Sequence, residues 1–189
     1  MKGQIQMSNS RVNKRDFLIA MIETSMLVAA AYVLGLIKLW EMPLGGSITA
    51  VSMLPLVIIG MRRGPKWGFA GCFVYGLVDF VLGKKYSIHI ASIIGDYLLA
   101  WGAMGVAGFF WKKDNGIWFA IPAACLGRLL FVFLTGVTIW AEYTPEGWPV
   151  WLYSLAYNGS YIGIEMVLMF VVCAVIGKQL PRLLKFGVK

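Results

Sequence analysis

Apolar positions in this chain fall in long blocks divided by short polar breaks, not in the alternation of a half-buried strand or the stripe of a surface helix. The blocks are residues 17–37, 48–61, 67–83, 87–111, 117–140 and 150–176. The first, of about 21 residues, is long enough to cross a hydrocarbon core roughly 30 Å thick. Its Ala29-Ala30-Ala31 run invites a signal-peptide reading. The length of the block and the equal apolarity of the five later blocks favour a membrane helix instead. Residues 48–61 are short for a full span and predict a broken or tilted segment. Lipid offers no water to backbone amides, so segments this apolar must close their hydrogen bonds as helices. The pattern predicts an all-α membrane protein, a six-transmembrane-helix bundle over residues 16–180. A basic tail (1–15) precedes it and a short tail (181–189) comes after it. No internal repeat, heptad or Gly-rich phosphate loop is present.

Composition agrees. Of 189 residues 59% are hydrophobic and 14% charged, against about 45–50% and about 25% in soluble domains. The net charge of +8 raises nucleic acid as a partner, but the positive residues sit in the breaks, not along one polar face. Their distribution fixes orientation. Six spans leave both termini on one side, together with Arg62, Arg63, Lys66, Lys112 and Lys113; that side holds 13 Lys and Arg. The opposite loops hold Lys38, Lys84 and Lys85, and Arg128 lies inside a block. The positive-inside rule then puts both termini in the cytoplasm of a multi-pass cell-membrane protein. Cys72, Cys125 and Cys173 lie far apart in apolar runs, without metal or disulfide spacing, and read as core residues.

Ionisable groups inside spans cost about 2.5–3.5 kcal/mol each on insertion scales and point to function. They are Glu23, Asp79, His89, Asp96, Arg128 and Glu165. In the expected orientation Asp96 lies about 13 Å and Asn158 about 12 Å below the outer surface, with Arg128 about 20 Å down. Tyr86, Tyr97, Trp140, Trp148, Trp151, Tyr153 and Tyr157 share that outer half. Aromatic faces around one carboxylate suit a flat organic cation, by cation–π attraction and charge pairing at low dielectric. Each aromatic taken alone also fits an interfacial belt. An Asp96–Arg128 ion pair is the main rival role for the acid. With a single His, no Ser-His-Asp order, no H-E-x-x-H and no nucleotide motif, the chain reads as neither an enzyme nor a metal or cofactor protein, and any ATP is used by other subunits.

The stretch from Trp140 through Tyr143, Pro145, Trp148, Trp151 and Tyr153 to Asn158 resembles the thiamine-specific substrate-binding subunits of energy-coupling factor (ECF) vitamin transporters. So do Met42-Pro-Leu-Gly-Gly-Ser-Ile48, Met53-Leu-Pro55, Arg62-Arg-Gly64, Asp96-Tyr97 and Pro181-Arg-Leu-Leu-Lys185. The resemblance covers residues 16–185. It implies a six-helix subunit that captures a vitamin from outside and passes it inward with a transmembrane coupling protein and two ATPases. The ligand would be thiamine or a related cationic or pyrimidine vitamin, and the first outer loop (39–48) would cover it. The implied contacts are Tyr86, Asp96, Tyr97, Trp140, Tyr153 and Asn158, supported by Arg128, Tyr157 and Trp148. Ser25 and Ala29, four apart on the first helix, would dock on the coupling protein, because small residues let helices approach closely. The chain departs from some members at Val132, Gly46 and Ala50, and it carries Asp96 where Glu is common. The rival reading is a proton-coupled carrier of a small organic cation, with Asp96, Arg128 and Glu165 as relay and no ATPase partner; the lack of an inverted repeat counts against it.

Overall fold

A computed structural model describes residues 2–43, 45–84 and 89–185. Helix α1 (Lys2–Leu36) leads into a two-stranded antiparallel hairpin, β1 (Lys38–Glu41) and β2 (Ser47–Thr49). Next along the chain come helices α2 (Met53–Arg63), α3 (Pro65–Leu82), α4 (Ile90–Phe110), α5 (Ile117–Thr138), α6 (Val150–Val175) and α7 (Leu180–Lys185). Each apolar block thus contains a helix. The hairpin is an addition to the all-helical expectation, and α1 begins well inside the segment read as a tail.

Residues 14–36 of α1, and α4, α5 and α6, are long and apolar enough to cross a membrane. Their outward faces say the same. Leu126, Leu130 and Leu134 on α5, and Val167, Val171 and Val175 on α6, recur every fourth residue and are exposed. Soluble monomers rarely leave apolar patches of that extent uncovered. Helix α2 behaves differently. Its 11 residues reach about 16 Å at 1.5 Å per residue, too short to span. Up to its last two residues, Arg62 and Arg63, it is apolar and buried in protein, with Met53, Leu56, Val57 and Ile59 fully covered. The broken segment anticipated at residues 48–61 is this core helix with the hairpin before it. Gly64, at φ 81°, makes the turn into α3, whose Pro65 occupies the first helical position.

Glycines set the spacing of α4 against α2 and α3. A Cβ on Gly105 would stand 2.5 Å from the backbone of Phe69, and one on Gly108 2.4 Å from Pro65 Cα. At one end Glu23 of α1 binds Arg62 at 2.8 Å and Arg63 at 2.7 Å. Arg62 also donates to the Leu183 carbonyl, tying α7 to the same corner. This names the partner of Glu23, which spacing alone left open. Cys72, Cys125 and Cys173 are buried in the core as free thiols.

Helix α4 is irregular. After one α turn it widens into a π-helical stretch over Ile93–Leu99, returns to α-helix at Ala100–Ala103, and tightens to a 3-10 helix over Met104–Phe110. Insertions of this kind gather at functional sites. Gly105 and Gly102 give a paired test. Gly105→Ala drives a methyl into backbone and should cost about 1–3 kcal/mol. Gly102→Ala meets nothing nearer than 3.8 Å and should be neutral or stabilising by up to about 1 kcal/mol. Melting of the two variants in detergent should separate them in that order.

Candidate functional site

The π stretch presents Asp96 to a cavity of about 330 Å3 lined by the hairpin and by residues of α1, α3, α4, α5 and α6. Three donors hold the carboxylate. Ser92, one turn earlier, donates to Oδ2 at 2.6 Å; the Trp140 indole N–H donates to the same oxygen at 3.1 Å; the Thr135 hydroxyl donates to Oδ1. Donors from α4, α5 and the loop after α5 converge on one acid, so its position is set by tertiary packing. Gly95 makes room, since a Cβ there would collide with the Thr135 methyl.

Aromatic residues form much of the wall. Tyr153, Tyr157 and Tyr161 succeed one another at four-residue spacing on α6, with ring centroids 5.9 and 6.2 Å apart. Tyr97 packs edge-on against Phe80, and its hydroxyl reaches the Lys84 carbonyl at 3.4 Å. Tyr75 and Trp101 form a T-shaped pair at 4.5 Å, and the Trp101 indole N–H donates to Asp79 Oδ2 at 3.1 Å. The Arg128 guanidinium lies over the Trp101 ring, 3.5 Å from its centroid. Its Nη1 donates to Met53 Sδ at 3.2 Å. The Asp96–Arg128 ion pair, the rival role for the acid, is not formed; Asp96 takes its hydrogen bonds from neutral donors instead.

Asp96, Tyr97, Arg128, Trp140, Tyr153, Tyr157 and Asn158 therefore come together on one cavity. Asn158 is occupied within the protein: its Nδ2 donates to the carbonyls of Ser154 and Val132, and its Oδ1 accepts from Tyr161. Trp148 is not brought to the cavity; it is half exposed in the loop before α6. Tyr86 lies outside the described residues. Ser25 and Ala29 stand exposed on one face of α1. His89 caps α4, its Nδ1 accepting from the Ala91 N–H at 3.3 Å. Among the described residues no three His, Cys, Asp or Glu side chains meet as metal ligands.

The cavity also holds Asp79 and Glu165, two of the ionisable groups the sequence singled out, and four residues it did not point to: Tyr75, Trp101, Tyr161 and Thr49. Three carboxyl groups, those of Asp79, Asp96 and Glu165, face one guanidinium, with Lys38 and Lys84 also on the wall. Lys38 and Lys84 are paired with Glu41, so a ring-lined space with three carboxyl groups around one guanidinium can attract a flat cation and stack on it.

Residues 21–185 match the family described as thiamine transporter protein. The chain belongs to that family. It is 32% identical over 193 positions to the thiamine transporter ThiT of Bacillus subtilis strain 168, an alignment covering 92% of this chain and 98% of the relative. With the thiamine transporter ThiT of Lacticaseibacillus paracasei it shares 28% identity over 186 positions, covering 88% and 90%. A solved structure of ThiT from Listeria monocytogenes superposes with a TM-score of 0.81 at 25% identity, over 89% of this chain and 98% of that one.

The glycine at position 46 has a physical cause. A side chain at position 46 has no room, because a Cβ on Gly46 would stand 2.6 Å from the Tyr161 ring. Position 132 is a buried Val on the cavity wall whose carbonyl accepts from Asn158. The grip on Asp96 is testable without any ligand. Thr135→Val keeps the shape and removes one donor, so it should cost about 1 kcal/mol of stability. Thermal melting in detergent reads this; an unchanged midpoint would mean the Thr135 hydroxyl does not support the acid.

Proposed function

We propose that this chain is the substrate-capture subunit of an ECF-type vitamin transporter, binding thiamine from outside the cell for ATP-driven uptake. The observation that carries the reading is Asp96 on the wall of a ring-lined cavity, in a member of the thiamine transporter family. Thiamine joins a positively charged thiazolium to an aminopyrimidine, two flat rings of opposite needs. The thiazolium stacks on Trp140 and pairs with Asp96, while Tyr97 and Tyr153 border the pocket. Asn158 acts by holding Tyr161 and the α5–α6 contact in place, and it turns to the ligand only if the cavity rearranges.

In this reading six segments embed in the plasma membrane and both ends of the chain face the cytoplasm, as the Lys and Arg distribution supports. The hairpin is the lid of the first outer loop. The exposed Ser25–Ala29 face of α1 meets the coupling protein, and two ATPase subunits supply the energy. The chain itself acts as a carrier, not an enzyme. The rival proton-coupled carrier is less well supported, because Asp96, Arg128 and Glu165 are each bonded to other residues and make no direct hydrogen bond or ion pair with one another. Uptake by vesicles holding this chain without ATPases would favour that rival.

Charge pairing gives the direct test. Asp96→Asn should weaken thiamine by about tenfold or more, since losing a charged partner costs about 1.5–3 kcal/mol. A neutral analogue with a carbocyclic or uncharged ring should lose much less. Calorimetry on the purified chain measures both, and equal losses would remove the charge-pairing role.

A further inference from the structure

Tyr157, Tyr161 and Glu165 lie four residues apart on one face of α6, and all three meet the hairpin. The Tyr157 hydroxyl accepts the Gly46 N–H at 3.4 Å. The Tyr161 ring packs against Gly46 so closely that no side chain fits there. Glu165 Oε1 accepts both the N–H and the hydroxyl of Thr49, the last residue of β2, each at 2.5 Å. Ser52 bonds to the Thr49 hydroxyl as well, at 2.8 Å. Between them Val51 sits at φ 63°, a conformation that a β-branched residue adopts only when its surroundings impose it. One carboxylate oxygen therefore anchors the inner end of the hairpin.

The other oxygen is not used. Glu165 is 1% exposed and lines the cavity, and its Oε2 is buried without a hydrogen-bond partner. A carboxylate oxygen kept from water without a donor is strongly unfavourable. Arg128 does not relieve it, since its guanidinium stacks on Trp101 and bonds to Met53, and its own Nε is buried without a partner. An acceptor that lacks a donor, on a side chain that lines the cavity, favours a ligand that brings an N–H.

We propose that Glu165 is a specificity-determining residue with two contacts: Oε1 holds the hairpin through Thr49, and Oε2 accepts an N–H of the amino group on the ligand's pyrimidine ring. The proposal rests on the thiamine reading and deepens it. Lid and ligand then share one carboxylate, so occupation of the cavity and closure of the hairpin stabilise each other.

The test compares thiamine with its 4-oxo analogue, which replaces the amino donor by a carbonyl acceptor. Wild-type chain, titrated in detergent by calorimetry, should bind thiamine about tenfold or more tightly than the oxo form. Glu165→Gln keeps an oxygen for Thr49 and turns an NH2 toward the ring, so the preference should fall by roughly tenfold or reverse. Thr49→Val removes one lid bond and should weaken both ligands alike, leaving their ratio unchanged. Equal wild-type affinity for the two, or an unchanged ratio in Glu165→Gln, overturns the role of Glu165 and leaves the thiamine reading intact. A wild-type chain that binds neither compound overturns both. The wild-type ratio alone decides the matter if the Gln variant does not fold.

Discussion

A carboxylate inside a membrane-embedded bundle must be hydrogen-bonded, paired with a cation or protonated, because the unsolvated ion is too costly. Asp96 meets this constraint with neutral donors: Ser92, Thr135 and Trp140. None of them cancels its charge. The nearby guanidinium of Arg128 is held away by stacking on Trp101, so the acid keeps its attraction for a cation. The rest of the architecture serves to keep that acid in place. The π stretch of α4 aims it, glycines at 105 and 108 bring α4 against its neighbours, and α5 supplies Thr135.

The same logic runs through the cavity with different partners. Asp79 is held by the Trp101 indole and Glu165 by Thr49. Each of these two acids is held by one element and lines a space bounded by others. Hydrogen bonds to neutral groups position these carboxyl groups around the cavity. The hairpin enters this arrangement through Glu165 and the tyrosines of α6, which bond to Thr49 and Gly46 or pack against them.

Much of this was legible in the chain itself. Block length and polarity gave helices in every expected segment, and the shortness of residues 48–61 marked the core helix α2. Depth arithmetic brought Asp96 and Asn158 to a common level and Trp140 into the same outer half, and Asp96 and Trp140 prove to be hydrogen-bonded. What escaped was pairing at long range. Thr49 and Glu165 are 116 residues apart, and no periodicity links a strand end to a mid-helix acid. The hairpin was hidden because β1 and β2 have only 4 and 3 residues, too few for alternation to register. Asn158 lay at the right depth, but spacing cannot say that its amide is already spent on Ser154, Val132 and Tyr161. Trp148 illustrates the opposite error, an aromatic near the site in sequence and outside it in space.

The central claim, that this chain by itself captures a thiazolium cation in a cavity ordered around Asp96, is tested most directly by native mass spectrometry of the protein purified in detergent without partner subunits. The account predicts one thiamine per chain, retained on purification or regained on adding the vitamin. A chain that stays bare in the presence of thiamine, or carries instead a neutral molecule that thiamine does not displace, would contradict it.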